Sequence, residues 1–151
     1  MFSIFKPRQF FSSSEKERIV HAIHEAELET SGEIRVFVEN KNPMVDPVDR
    51  ARQVFHKLKM EDTRQRNAVL LYVAVKHHEL ALYGDEGIHR EVGDTYWKAA
   101  LQKVTGHLKE NDLAGGIVKS IHFIGQALKE KFPYDAKTDK NELPGDIVFG
   151  E

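Results

Sequence analysis

The sequence predicts an α/β fold in which a small mixed sheet, built from a βαβ crossover and an antiparallel hairpin, is flanked by helices. Residues 68–75 are all apolar or aromatic, which is typical of a strand that is covered on both faces. Residues 76–78 interrupt this run before residues 80–83 resume it, which indicates a hairpin. An alternating strand at 34–38 and a helical pattern at 47–60 come before the hairpin. This strand, helix, strand order makes the first two strands parallel.

The composition of the chain limits the classes of function it can have. Its 151 residues suffice for one domain with its own core. It has no cysteine, which excludes disulfides, thiolate metal sites and cysteine nucleophiles. The formal charge is -2 with opposite charges interspersed, so the basic stripe of a nucleic-acid binder is missing. No apolar run of about 20 residues indicates a membrane span, and Lys6, Pro7 and Arg8 interrupt the apolar N-terminus. We therefore expect a cytoplasmic protein.

The first helix is predicted to begin at Ser14, because Ser14 and Glu17 have the spacing of a capping box. Gly32 is expected to end this segment. The apolar stripe of the helix consists of Ile19, Val20, Ile23, Ala26 and Leu28. In the strand that follows, Ile34, Val36 and Val38 alternate with more polar residues, which indicates that one face is better covered than the other.

The second helix is predicted to begin after Asp46, because Asp46 and Pro47 are typical of an N-cap followed by proline at the first helical position. It is expected to run to about Met60. Its predicted buried face consists of Val48, Ala51, Val54, Phe55 and Leu58.

Two helices are predicted after the hairpin, with Asp94 and Asp112 as their N-caps. The first has apolar residues at helical spacing, namely Trp97, Leu101, Val104 and Leu108. The second has Leu113, Ile117, Ile121, Ile124 and Leu128, and Pro133 is expected to end it. Each of its glycines at 115, 116 and 125 destabilises a helix by up to about 1 kcal/mol relative to alanine, which indicates close packing at some of them.

The chain divides into an N-terminal arm (1–12), an α/β domain (13–133) and a C-terminal tail (134–151). Residues 147–149 either form an edge strand or lie loose. The arm has five large apolar residues: Phe2, Ile4, Phe5, Phe10 and Phe11. They are expected to dock on the domain itself, with a surface or protein partner as the alternative.

Strand direction brings three polar segments to one edge of the predicted sheet. These are residues 31–33 before the first strand, 62–67 before the second, and 84–87 after the third. Carboxylate, amide and carbonyl oxygens are the ligands that Ca²⁺ and Mg²⁺ prefer. Glycines at 84 and 87 would let the backbone turn toward an ion or a phosphate. The predicted metal ligands are Glu33, Asp62, Asp85 and Glu86, with Ser31 and Asn67 as further binding residues.

A less specific interpretation competes with a metal site at this edge. The acids can serve as helix caps and solvated loop residues, with Glu33 paired to a basic side chain.

The eight histidines do not indicate zinc, because His21 and His24 lack a third ligand at a telling distance. The sequence also lacks the GxSxG, Walker A and GxGxxG motifs. A serine nucleophile is therefore unsupported, although Ser31 stays open.

Several spaced motifs resemble the TPM domain family, named after a thylakoid lumen protein, a photosystem II repair protein and a receptor modulator. The motifs are Glu27, residues 30–36, 66–70 and 84–88, Trp97, and residues 132–134 and 141–144. The resemblance implies a three-layer α/β/α sandwich with a small mixed sheet. It also implies divalent-cation binding, as in some members, and the acid phosphatase activity proposed for a chloroplast member.

By this resemblance, Glu33, Arg66, Asn67 and Asp85 occupy motif positions of the family. Ala68 departs from the pattern, because the family usually has glycine there. Many members are exported and carry a membrane anchor, and this sequence shows neither feature, so the photosystem setting is not transferred.

The predicted function is a soluble domain that binds Ca²⁺ or Mg²⁺ at this edge. Whether it is an enzyme stays open. A weak metal-assisted acid phosphatase would act on a phosphate-bearing small molecule, with Asp85 as the leading acid and Arg66 holding the phosphate. The alternative is a non-catalytic module that binds a protein partner through the arm or the tail.

Overall fold

The computed structural model of the chain describes residues 10–93, 95–97, 99–100, 102, 112–134 and 147–150. At its centre lies a four-stranded sheet. The strands are β1 (Glu33–Glu39), β2 (Ala68–Ala74), β3 (Glu79–Gly84) and β4 (Ile147–Phe149), in the spatial order β3-β2-β1-β4. β1 runs parallel to β2 and to β4, whereas β2 and β3 are antiparallel. The predicted mixed sheet with its parallel pair and its hairpin is therefore confirmed.

Helices cover both faces of this sheet, which confirms the α/β sandwich. They are α1 (Ser13–Glu27), α2 (Pro47–Lys57), α3 (Glu86–Val92) and α4 (Leu113–Lys131), and residues 95–97, 99–100 and 102 are also helical. α1 and α4 pack on one face of the sheet together with Trp97. α2 packs on the other face, mainly over β2 and β3.

β2 is buried along its whole length, as the apolar run predicts. Val69, Leu71 and Val73 point toward α1 and α4, whereas Leu70 and Tyr72 point toward α2. Complete burial of a side chain such as Val or Leu stabilises a fold by roughly 1.5–3 kcal/mol. This strand therefore contributes buried side chains to both halves of the core.

The predicted start of α1 is wrong by two residues. The capping box is formed by Ser12 and Glu15: Ser12 Oγ accepts from the amide of Glu15 at 3.2 Å, and Glu15 Oε1 accepts from the amide of Ser12 at 2.8 Å. The sequence has the same spacing at Ser12 and at Ser14, and the earlier start lets Phe11 enter the core directly before the helix. Leu28 is also wrong as a core residue, because it is the C-cap and is 69% exposed.

The N-cap of α2 is confirmed, since Asp46 Oδ1 accepts from the amide of Val48 at 2.8 Å and Pro47 follows it. The helix ends at Lys57 and not near Met60. Val48 is wrong as a buried residue, because it lies in the first turn, before α2 reaches the sheet, and is 39% exposed.

The N-cap of α4 is confirmed as well, because Asp112 Oδ1 accepts from the amide of Gly115 at 2.9 Å. The predicted apolar residues from Ile117 to Leu128 are buried, and the helix ends two residues before Pro133. Trp97 is buried as expected. The predicted cap Asp94 and the predicted core residues Leu101, Val104 and Leu108 lie outside the described residues.

The two ends of the described chain meet beside β1. The ring of Phe149 in β4 lies 6.4 Å from the ring of Phe10 and 6.3 Å from that of Phe11. Residues 147–149 thus form the edge strand, which was one of the two alternatives. Phe11 is buried in the domain core, as expected for a docked arm. Phe2, Ile4 and Phe5 lie outside the described residues, as do residues 135–146 of the tail.

A buried polar network closes the C-terminal end of β1. The Glu39 carboxylate accepts from Arg50 Nε and Nη2, both at 2.8 Å, and from the hydroxyl of Tyr72. Burial, followed by the contact with Glu39, raises the pKa of Tyr72 above its ordinary value, so the phenol stays protonated. Both carboxylate oxygens are paired, so the network is a satisfied structural feature.

Gly125 allows α1 and α4 to pack closely, because a Cβ at position 125 would lie 2.9 Å from the Cβ of Ala26. We expect Gly125→Val to lower the free energy of unfolding by about 1–3 kcal/mol through overpacking. Gln126→Val is the matched control, because this neighbouring side chain is exposed. Urea unfolding measures both variants, and an equal loss in the two would contradict the packing argument.

Candidate functional site

The three predicted polar segments do lie at one edge of the sheet. The register pairs Glu33 with Ala68 and Val69 with Gly84. The amide of Asp85 donates to the carbonyl of Ala68 at 3.0 Å. We call residues 31–33, 62–67 and 84–87, together with Glu27, the acid edge.

Arg66 and Asp85 form a two-pronged ion pair at the acid edge. Arg66 Nε donates to Asp85 Oδ2 at 2.6 Å, and Nη2 donates to Oδ1 at 2.8 Å. Asp85 is buried, whereas 36% of the Arg66 side chain is exposed. The contact with Asp85 raises the pKa of Arg66 further above its ordinary value. Nη1 also donates to Glu86 at 3.3 Å, so Arg66 is surrounded by acids and its charge is compensated.

Asp85 is also the N-cap of α3. Its Oδ1 accepts from the amide of Glu86 at 2.8 Å. Both carboxylate oxygens of Asp85 are therefore already paired within the protein.

The backbone at Arg66 is also fixed. Arg66 has a φ of 52°, in the left-handed region that residues other than glycine seldom adopt. Its carbonyl accepts from the amide of Gly87 at 2.9 Å. A Cβ at Gly87 would lie 2.3 Å from the carbonyl oxygen of Gln65, so only glycine fits there. Gly87 therefore serves close packing of two backbone segments in this structure.

Ser31 and Asn67 meet at the starts of β1 and β2. Ser31 Oγ accepts from Asn67 Nδ2 at 3.3 Å and from Gln65 Nε2 at 3.2 Å. Asn67 is only 1% exposed. Its Oδ1 is buried and has no hydrogen-bond partner in the described part of the chain. A carbonyl oxygen in this state is suited to accept from a ligand or to coordinate a cation.

Glu27 and Glu33 form a pair of acids at the start of β1, where the amide of Glu33 donates to the carbonyl of Asn67 at 3.4 Å. Glu27 Oε2 accepts from the amide of Ile34 at 3.1 Å, and Glu33 is only 4% exposed. Burial raises the pKa of Glu27 to about 8, and the neighbouring Glu33 acts in the same direction against the Ile34 amide. The pair therefore holds a proton near neutral pH. Glu27 Oε1 is buried and, apart from the neighbouring Glu33 carboxyl group, has no hydrogen-bond partner within the described residues.

The predicted metal ligands thus fall into separate groups. Glu33 pairs with Glu27, whereas Asp85 and Glu86 contact Arg66. Asp62 is exposed, and its amide donates to the carbonyl of Lys59 at 3.2 Å. Among the residues that the structure describes, no group of three or more acidic or histidine side chains is arranged to hold a metal ion.

In the sequence, only the family resemblance points to Glu27. A signal for it existed, because Glu27 lies in the last turn of a predicted helix, where the helix dipole disfavours a carboxylate. A carboxylate in that position needs a local reason, and here the amide of Ile34 supplies one.

The fold and this edge define an α/β sandwich domain with a cluster of acids at the start of its parallel strands. The sequence model of the TPM domain matches residues 4–127. The chain therefore belongs to the TPM domain family, as the resemblance implied. No curated protein matches the chain in a sequence comparison.

Solved structures agree with this assignment. The NMR structure of the BA42 protein from the psychrophilic bacterium Bizionia argentinensis is 40% identical, with a TM-score of 0.86 over 96% of this chain and 99% of that chain. The N-terminal domain of the cg2496 protein from Corynebacterium glutamicum is 16% identical, with a TM-score of 0.60 over 92% and 80% of the two chains. The N-terminal domain of a P. gingivalis protein is 13% identical, with a TM-score of 0.65 over 81% and 78%. The last two show the fold alone.

Within the described ranges, none of the helices has the length and apolar character needed to cross a bilayer.

The high pKa of Glu27 predicts that the stability of the fold depends on pH. Its pKa is about 8 in the folded chain against an ordinary value of 4.5, so the folded state binds this proton more tightly. The stabilisation that comes from binding this proton is complete below about pH 4.5 and is lost as the pH rises through about 8. We expect Glu27→Gln to flatten this decline and to exceed the native chain in stability at pH 9. Urea unfolding across pH measures the effect.

Glu17→Gln is the control for this experiment, because Glu17 is exposed on the same helix. It should keep the pH profile of the native chain. If the stability of Glu27→Gln changed with pH in parallel with that of the native chain, the folded and unfolded states would bind this proton equally.

Proposed function

We propose that the acid edge binds a divalent cation, Ca²⁺ or Mg²⁺, through the Glu27 and Glu33 carboxyl groups. The observation that carries this proposal is the presence of two buried oxygens, Glu27 Oε1 and Asn67 Oδ1, for which the described residues supply no hydrogen-bond donor apart from the proton that Glu27 shares with Glu33. Two carboxylates and an amide oxygen are hard ligands of the type these cations select. A cation would replace the proton that the acid pair holds near neutral pH.

The other predicted ligands fit this site less directly. Using Asp85 as a ligand would require breaking its contact with Arg66 or its cap on α3. Glu86 and Asp62 are exposed, so they suit outer positions reached through water. Mg²⁺ in particular usually keeps several waters. In this proposal Glu27, Glu33 and Asn67 hold the ion, and Ser31 orients Asn67.

A titration with Ca²⁺ or Mg²⁺, followed by amide chemical shifts, tests the cation site. We expect localised shifts at residues 27, 31–34 and 67, and tighter binding at pH 8 than at pH 5.5, because the acid pair must lose its proton. Glu33→Gln should weaken binding at least about 10-fold, by analogy with the loss of a ligand or of its support.

Asp62→Asn and Glu86→Gln are the matched controls for the titration and should change the affinity less than about 3-fold. A larger loss of affinity in these controls than in Glu33→Gln would indicate that the ion binds at Asp62 and Glu86 instead. The absence of localised shifts at millimolar ion would exclude the site altogether.

A second candidate function is metal-assisted hydrolysis of a phosphate monoester. The position of Arg66 favours it, because the guanidinium is partly exposed and lies at the same edge as the acid pair. Arginine binds phosphate through two parallel hydrogen bonds. A bound cation would polarise a phosphoryl oxygen. Since Asp85 compensates the charge of Arg66, a phosphate would have to share this arginine with Asp85 or displace it.

Turnover of p-nitrophenyl phosphate in the presence of Mg²⁺ tests the second candidate. We expect Arg66→Lys to raise KM about 10-fold or more through loss of the two-pronged contact. Asp85→Ala should lower turnover, because Asp85 holds the Arg66 guanidinium in place. Arg52→Lys is the control, because Arg52 is an exposed arginine of α2. Equal turnover in the native chain and in Asp85→Ala would identify a contaminating phosphatase.

A further inference from the structure

Three hydrogen-bonded side chains form a line from buried Asn67 to the surface of the acid edge. Asn67 Nδ2 donates to Ser31 Oγ at 3.3 Å, and Gln65 Nε2 donates to the same oxygen at 3.2 Å. Exposure increases along this line, because Asn67 is 1% exposed, Ser31 is half-buried and Gln65 is exposed. Gln65 is therefore the outer member of the line, and it connects the loop before β2 with the start of β1.

The backbone that carries Gln65 is held in place. A Cβ at Gly87 would lie 2.3 Å from the carbonyl oxygen of Gln65, so the two segments pack closely there. The next residue, Arg66, is fixed by its ion pair with Asp85 and by the bond from the Gly87 amide to its carbonyl. Breaking the bond between Gln65 and Ser31 therefore requires only the rotation of a side chain. Exposed side chains rotate within nanoseconds.

The same bond occupies the Ser31 oxygen. A hydroxyl oxygen has two lone pairs, and two amide groups donate to Ser31 Oγ. While both bonds are present, this oxygen has no lone pair for an ion. When Gln65 rotates outward, one lone pair is released next to Asn67, between the surface and the buried carboxyl groups.

We propose that Gln65 controls the rate at which a divalent cation enters and leaves the site formed by the acid pair and Asn67. This inference rests on the proposed cation site. While Gln65 is bound to Ser31, the entrance is closed. After Gln65 rotates outward, Ser31 Oγ binds the incoming cation before Asn67 Oδ1 and the acid pair receive it. Because Gln65 is not a ligand in the final site, its rotation changes entry and exit equally and leaves the affinity unchanged.

Amide line shapes during a Ca²⁺ titration test this proposal, because they give the dissociation rate and the Kd together. The net stabilisation of one neutral hydrogen bond corresponds to about 2- to 12-fold in an equilibrium constant. We therefore expect Gln65→Ala to raise both the association and the dissociation rate by this factor, with the Kd unchanged. Gln126→Ala is the matched control, because Gln126 is an exposed glutamine of α4, and it should leave both rates unchanged.

A second measurement does not need an ion. The side-chain amide of Asn67 is buried, so its hydrogens exchange with water when the entrance opens. Gln65→Ala should accelerate this exchange about 2- to 12-fold, and Gln126→Ala should not change it.

Unchanged exchange at Asn67 in Gln65→Ala would overturn the proposal. A dissociation rate and a Kd that rise together at a constant association rate would overturn it as well, because Gln65 would then stabilise the bound ion. The absence of localised shifts in the native chain would contradict the cation site itself, and this proposal with it, even if Asn67 exchange still responds to Gln65→Ala.

Discussion

The complete burial of β2 is the constraint on which the rest of the structure depends. Because helices cover both faces of this strand, polar groups are confined to its two ends. Its parallel partner β1 and its antiparallel partner β3 are aligned with it along nearly their whole lengths. Three segments that are far apart in sequence therefore come together at the start of β2, and two others come together at its end. The polar surfaces of the molecule thus follow from where one apolar strand begins and ends.

Much of the fold could be predicted from local patterns. The run at 68–75, the Asp46-Pro47 pair and the cap at Asp112 each have one strong interpretation, and the structure agrees with each. The start of α1 was wrong because two serines satisfy the same spacing rule, and only the burial of Phe11 separates them. Leu28 and Val48 were wrong because they lie at helix ends, where helical periodicity no longer tells which side chains reach the sheet.

The acid edge could be located from strand direction, but its pairing could not. Sequence spacing brings Glu33, Arg66 and Asp85 to one edge, yet it does not tell which acid Arg66 will bind. The left-handed backbone at Arg66 and the tight approach of Gly87 aim the guanidinium at Asp85. Glu33 is left to meet Glu27, a helix residue whose role depends on how the end of α1 packs on the sheet. That packing is set by contacts across the core, which no local pattern contains.

The close approach of α1 and α4 has an effect beyond packing. Ala26, which lies against Gly125, directly precedes Glu27 in the chain. The contact with α4 therefore fixes the end of α1 that carries Glu27, whose high pKa is caused mainly by burial. A side chain added at Gly125 would therefore also displace the end of the helix that carries one member of the acid pair.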